Sequence, residues 1–252
     1  MLKKRKWLRV PAILLSLWLI SHLLYQGLKP PPPPHPLRIA HRGVPALAPE
    51  NTLEGFEKAL QMDMDLWETD VRQSKDGVLF LMHDASVART TPGQGLVEEM
   101  TSAQLAALGV PTFDQFLQLA SQHEARILPE VKGQSEGIEQ AMLRSIEAAG
   151  MLERTRVQSF SSKSLERLQQ LKRCRTYYPW VLWVGKNPQG VTVVAPMAEA
   201  LLLNPWMVRQ AHAQGLEVWP WFAGLESSWT VAWVLSLGVD GLMVDDPRHW
   251  PR

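Results

Sequence analysis

From residue 37 onward the sequence keeps changing its period. Short apolar runs of strand length alternate with stretches in which apolar residues recur every three or four positions. Residues 38–40, 66–72, 126–131, 157–160, 176–184, 191–195, 217–222 and 241–244 read as strands. Residues 52–62, 113–122, 136–149, 161–171, 204–214 and 228–237 read as helices. A further short apolar run, 78–82, follows a Lys75-Asp76-Gly77 turn. Parallel strands need a crossover, usually a helix, so this alternation predicts an α/β fold with a parallel sheet. Eight strands predict a (β/α)8 TIM barrel, a single domain over 37–252. The 46% of hydrophobic residues can fill its core.

The N-terminus reads differently. Lys3, Lys4, Arg5, Lys6 and Arg9 precede a run from 10 to 28 without a charge. Roughly 20 apolar residues span a bilayer, so residues 1–29 are expected to form an N-terminal transmembrane helix with a basic cytoplasmic flank. A cleaved signal peptide is the alternative, although no small-residue cleavage signal follows the run. Either way the domain is expected outside the cytoplasm, periplasmic in a bacterium. Residues 30–36 form a proline-rich linker, which is stiff and extended. Residues 1–35 hold six basic and no acidic residues, leaving 20 basic against 25 acidic beyond them. An acidic domain argues against a nucleic-acid partner. The lone cysteine, Cys174, permits no internal disulfide.

The chemistry-bearing residues fall at the ends of the strand-like runs. His41, Arg42 and Gly43 end the first, where α/β folds build their sites. Glu68 and Asp70 are two apart in the second, so both carboxylates share one side. Like charges so close need a cation or a shared proton. His41 and His83 are candidates for acid–base work, since imidazole titrates near neutrality. Arg42 could grip two phosphate oxygens, and Lys132 shares a strand side with Glu130. Glu50 and Asn51 precede a helix, with Asn51 or Thr52 as its cap. Trp221, with Trp219, lies on one side of the seventh strand and could wall the substrate.

These residues stand in a recognisable series: His41-Arg42-Gly43, then Pro49-Glu50-Asn51-Thr52, Glu68-Thr69-Asp70, His83-Asp84, Arg89-Thr90-Thr91, Glu130-Val131-Lys132, Gln158-Ser159-Phe160, and 238–247. The series resembles the signature of the glycerophosphodiester phosphodiesterase family from about residue 37 to the C-terminus. The resemblance implies the same barrel and hydrolysis of glycerophosphodiesters to an alcohol and sn-glycerol 3-phosphate, in glycerophospholipid metabolism. It implies a catalytic pair, His41 and His83, with acid and base unassigned. It makes Glu130 a third carboxylate beside Glu68 and Asp70, and such a set suits one hard divalent cation, Mg²⁺ or Ca²⁺. Two departures stand out. Only about twenty residues separate Thr91 from Pro111, where many members carry a longer insertion over the site. The seventh strand ends Phe222-Ala223-Gly224 rather than in a Thr-Val-Asn-like tail. The alternatives are a lysophospholipase D acting at the membrane, a sphingomyelinase-D-like barrel, and an inactive anchored binding module.

Overall fold

The structure, a computed structural model, describes residues 9–133 and 135–251. The basic residues Lys3 to Lys6 of the expected anchor lie outside the described residues. Strands β1 (Leu37–Ala40), β2 (Leu66–Gln73), β3 (Leu79–Leu81), β4 (Ile127–Val131), β5 (Arg156–Ser159), β6 (Lys172–Thr176), β7 (Val191–Ala195), β8 (Glu217–Val218) and β9 (Gly241–Val244) form one sheet. Its order is β8-β7-β6-β5-β4-β2-β1-β9, with all these neighbours parallel. β3 folds back antiparallel on β2 and stands outside that path. The two end strands meet through Asp240 N to Val218 O at 3.0 Å and Met243 N to Pro220 O at 2.9 Å, so the barrel is nearly closed.

The helices are α1 (Arg9–Leu28), α2 (Leu53–Gln61), α3 (Ser102–Ala107), α4 (Phe113–Gln122), α5 (Ile138–Ala148), α6 (Ser162–Arg167), α7 (Ala198–Leu203), α8 (Trp206–His212) and α9 (Ser228–Ser236). Local chemistry starts them. Thr112 and Gln115 close a capping box on α4, and Ser227 and Thr230 close another on α9. Thr52, not Asn51, caps α2 by accepting from Gly55 N.

The barrel interior has two layers of opposite character. Ile39, Leu66, Leu128, Cys174, Val193, Trp219 and Met243 pack as a buried apolar floor. Two residues further along the same strands, the inward positions are His41, Glu68, Glu130 and Thr176. The period of two carries each strand from floor to site without a change of face. Burial drives the Cys174 thiol pKa upward, consistent with a packing role.

One strand differs from the expectation. Residues 172–176 form β6, and 177–190 form the loop that follows, whereas 176–184 had the aromatic and β-branched composition of a strand. Lys172-Arg173-Cys174-Arg175 reads as polar, but Arg173 is buried on the outer face, where Nη1 donates to Leu165 O at 3.1 Å. Its long stem does the packing an aliphatic residue would do. Pro179 lacks a backbone donor, so the run containing it is poorly suited to a central strand.

The expected membrane span is also not borne out. Among the described residues no helix is long and apolar enough to cross a membrane. The C-terminal half of α1 is instead docked along the barrel. Tyr25 is fully buried and its hydroxyl donates to Leu237 O at 2.7 Å. His22 pairs with Leu202 O at 3.0 Å, and Trp206 Nε1 donates to Ser21 Oγ at 3.0 Å. Residues that bond the barrel are unavailable to lipid, which shortens the lipid-accessible stretch below the ~20 residues a span requires. The start of the proline-rich linker also lies against the barrel. Lys29 Nζ donates to Ser236 O, Pro30 packs on Gly238, and Leu37 begins β1.

Candidate active site

Glu68 and Asp70 on β2 face the same interior, and Asp70 is in register with Glu130 on β4. All three are buried, and one oxygen from each lies within 4.8 Å of the others. Lys132 bridges them, with Nζ 3.2 Å from Asp70 Oδ1 and 2.8 Å from Glu130 Oε1. Gln158 Nε2 donates to Glu130 Oε2 at 2.9 Å and to Glu68 Oε1 at 3.3 Å.

Burial and the adjacent Asp70 charge raise the Glu68 pKa well above the usual carboxylate range. Asp70 moves the other way: burial would raise it, but Lys132 and Arg42 together hold it down. Lys132 and Arg42 do not neutralise three carboxylates. An all-oxygen set that is buried, convergent and short of positive charge fits a hard cation, so Glu68, Asp70 and Glu130 could hold a metal ion.

The loop after β1 supplies the next group. Arg42 has φ 53° and Gly43 φ 85°, and a Cβ on Gly43 would lie 3.1 Å from the backbone of Gly55. This tight turn aims Arg42 N at Glu68 Oε2, at 2.8 Å, and brings Arg42 Nε within 3.3 Å of Asp70 Oδ2. Asn51, also left-handed at φ 55°, donates from Nδ2 to Asp70 Oδ2 at 2.9 Å. Its Oδ1 accepts from Thr69 Oγ1 and Asp70 N. Asn51 is therefore a brace for β2, and this role displaces it from capping α2.

The two histidines have matching supports. His41 Nδ1 lies 2.6 Å from Asp245 Oδ1, and His83 Nδ1 lies 2.7 Å from Asp84 Oδ1. A carboxylate on Nδ1 fixes that nitrogen as the N–H and leaves Nε2 for proton exchange. Their environments diverge. Burial lowers the His41 pKa, but the bond to Asp245 and the charges of Glu68 and Asp245 together outweigh it, and the net shift is upward. Burial dominates at His83, with Lys132 and Arg42 opposing Asp70, and the net shift is downward.

Glu50 is held by Arg89 through two hydrogen bonds of 2.7 and 2.8 Å, and Arg89 also reaches Asp84. Glu50 thereby links the loop after β1 to the loop carrying His83. On the opposite wall Trp221 is half-buried, 6.3 Å from Phe160 ring to ring. Trp221 Nε1, Gln158 Oε1 and Thr176 Oγ1 are buried without hydrogen-bond partners among the described residues. The structure thus gathers the carboxylates, Arg42, Lys132, Glu50, Asn51 and both histidines at one end of the barrel, with Trp221 on the far wall. Sequence reasoning gave no site role to Asp245, Asp84, Arg89 or Gln158. All four stand within the motif series, Asp245 in the stretch 238–247.

A buried carboxylate cluster, fixed cations for an anionic group and two aspartate-held histidines at the C-terminal mouth of a (β/α)8 barrel define a phosphoric diester hydrolase. The chain belongs to the glycerophosphoryl diester phosphodiesterase family, whose model matches residues 41–249. A glycerophosphodiester phosphodiesterase of Caldanaerobacter subterraneus is 27% identical over 244 residues, covering 84% of this chain and 95% of its own. One from Bacillus altitudinis is 29% identical over 231 residues, covering 82% and 94%. The crystal structure of a glycerophosphodiester phosphodiesterase from Agrobacterium tumefaciens superposes with a TM-score of 0.72 at 25% identity, covering 85% of this chain and 98% of that one. An Oleispira antarctica phosphodiesterase in complex with the product sn-glycerol-3-phosphate has the same fold, with TM-score 0.67 at 21% identity, covering 89% and 96%.

Proposed function

We propose that the chain hydrolyses glycerophosphodiesters to an alcohol and sn-glycerol 3-phosphate with a divalent cation, Mg²⁺ or Ca²⁺, held by Glu68, Asp70 and Glu130. The observation that carries this reading is the pair of aspartate-held histidines beside the carboxylate cluster. When bound, the cation offsets negative charge on a phosphate oxygen.

The chain's own residues account for the proton transfers. Two transfers are needed, one from the nucleophile and one to the leaving alkoxide. His83, held neutral by burial, is the base, and its Nε2 accepts the nucleophile's proton. His41, favoured as the cation by Asp245, is the acid, and its Nε2 protonates the leaving oxygen. Environments that push paired groups apart support such a division. Arg42 and Lys132 already lie against Asp70, so their remaining N–H groups can bind phosphate oxygens as charge builds. Glu50 and Asn51 keep the loops in place. The unpaired Trp221 Nε1, Gln158 Oε1 and Thr176 Oγ1 offer hydrogen bonds to glycerol hydroxyls. The product complex of the Oleispira protein supports the same product here. The basic and apolar N-terminal sequence supports a membrane-associated enzyme in lipid turnover, and a location outside the cytoplasm would require that segment to act as a cleaved signal.

The test is release of sn-glycerol 3-phosphate from glycerophosphocholine and glycerophosphoethanolamine, with and without EDTA. The expected result is release that EDTA abolishes and Mg²⁺ or Ca²⁺ restores. Release indifferent to EDTA would remove the cation from the mechanism, and no release from either substrate would overturn the reading.

A further inference from the structure

The part of α1 from Ile13 to Ile20 presents an unusual surface. Ile13, Leu14, Leu15, Leu17, Leu19 and Ile20 are each at least half exposed, between 50% and 64%. Successive helical residues turn by about 100°, so these side chains point in every direction rather than along one stripe. A helix that is apolar all round is normally buried in something.

Its position relative to the barrel is fixed by its contacts. Tyr25 and Lys29 bond the C-terminal end of α9, on the face away from the site. His22 and Ser21 contact α7 and α8. The helix therefore runs from the lower face toward the mouth. At ~1.5 Å per residue, Ile13 lies about 13 Å beyond His22 along the axis.

The apolar surface continues from α1 to the site itself. The rings of Trp18, His22, Trp233 and Trp229 form a chain, with centroids 4.1, 5.9 and 5.3 Å apart. Leu202 O, which meets His22, is followed by Leu203, 60% exposed. Asn204 Nδ2 then donates to Leu182 O, joining α7 to the loop after β6. That loop carries Trp180, whose ring stacks at 4.8 Å on Tyr178, which in turn contacts Phe160 at 4.7 Å. Phe160 lies under Lys132 Nζ, at 5.5 Å. Tyr178, Trp180, Leu182, Trp183, Leu203, Leu225 and Trp229 are all exposed, and all lie in segments that follow β6, β7 or β8.

We infer that the Ile13 to Ile20 part of α1 and this aromatic rim are one lipid-facing surface, which seats the mouth of the barrel on an anionic bilayer. The helix enters the interface without spanning it. A basic flank beside an all-round apolar stretch, together with exposed tryptophans, matches an anionic bilayer in both its charge and its apolar depth. Lys3, Lys4, Arg5, Lys6 and Arg9 precede the apolar stretch, whereas the chain beyond residue 35 is acidic. Anionic headgroups attract the first and repel the second, so the basic end must lead. Exposed tryptophans suit the headgroup level, where an amphipathic ring is stable. In this orientation a phosphodiester on a lysophospholipid reaches the site from the membrane. That consequence rests on the phosphodiesterase reading; the lipid contact does not.

The test uses the full chain and sedimentation with vesicles of phosphatidylglycerol and phosphatidylcholine. The chain is expected to co-sediment with anionic vesicles, less at high salt. Leu15→Glu with Leu19→Glu should weaken partitioning by about 100-fold, since each buried leucine is worth roughly tenfold or more. Turnover of soluble glycerophosphocholine should be unchanged in that variant, which also shows that it folds. Trp180→Ala should slow turnover of lysophosphatidylcholine in vesicles and leave soluble turnover intact. No binding to anionic vesicles, or self-association through α1 in their place, overturns the inference. Equal effects of Trp180→Ala on both substrates overturn the orientation. Vesicle binding without any phosphodiesterase activity would instead overturn the function and leave the lipid contact standing.

Discussion

Asp245→Asn isolates one bond of the proposed mechanism. Asp245 Oδ1 lies 2.6 Å from His41 Nδ1, and this bond is the largest of the influences that raise the His41 pKa against the lowering by burial. Asparagine keeps the shape and removes the charge. A hydrogen bond to a charged group is worth roughly 1.5–3 kcal/mol, or about 10- to 150-fold in rate at 1.36 kcal/mol per decade. That loss should fall on kcat for glycerophosphocholine, with KM little changed. The pH profile carries the sign. An acid must be protonated, so activity is lost as pH rises through the His41 pKa. The native pKa is raised above 6.5. Without the Asp245 charge and bond, only Glu68 opposes burial, so the alkaline limb should move to lower pH. From the p-nitrophenyl diester of glycerol 3-phosphate the leaving group is p-nitrophenolate, which departs without a proton, so on this substrate the variant should lose little. An unchanged alkaline limb, or equal losses on both substrates, would refute the assignment of His41 as acid.

Three further outcomes follow from the geometry. The raised Glu68 pKa stabilises the fold at low pH, and that contribution is lost as pH rises through the folded value, so in EDTA the Tm should fall with rising pH; Glu68→Gln should flatten that fall while abolishing turnover. Calorimetry across pH would measure both, and saturating Mg²⁺ or Ca²⁺ should raise the Tm of the native chain alone. Gly43→Ala places a Cβ 3.1 Å from the Gly55 backbone at a φ of 85° and should destabilise by about 1–3 kcal/mol in urea unfolding, with lower activity as Arg42 shifts. Tyr25→Phe removes the 2.7 Å bond to Leu237 O and should cost about 1 kcal/mol by the same measurement, with turnover of soluble substrate retained; no change would separate α1 from the stability of the barrel.

The sequence by itself determined the barrel and the chemistry at its mouth. The alternation of two periods requires parallel strands with covering helices, and the period of two within a strand keeps Glu68 level with Asp70 and Glu130 level with Lys132. These are local rules, readable from a few neighbouring residues. Only the tertiary structure decided what depends on residues far apart in the chain. Asp245 reaches His41 across 204 positions and Gln158 reaches Glu68 across 90, and no spacing encodes either pair. β6 escaped notice because its outward arginine is buried by a neighbouring helix, an environment its own composition does not report. The fate of α1 was decided in the same way. Its apolar run is what a membrane helix would show, but Ser21, His22 and Tyr25 each make a bond to the barrel that exists only when the barrel has closed beside them. Hydropathy counts residues along the chain, whereas docking depends on which polar groups another element holds out to them.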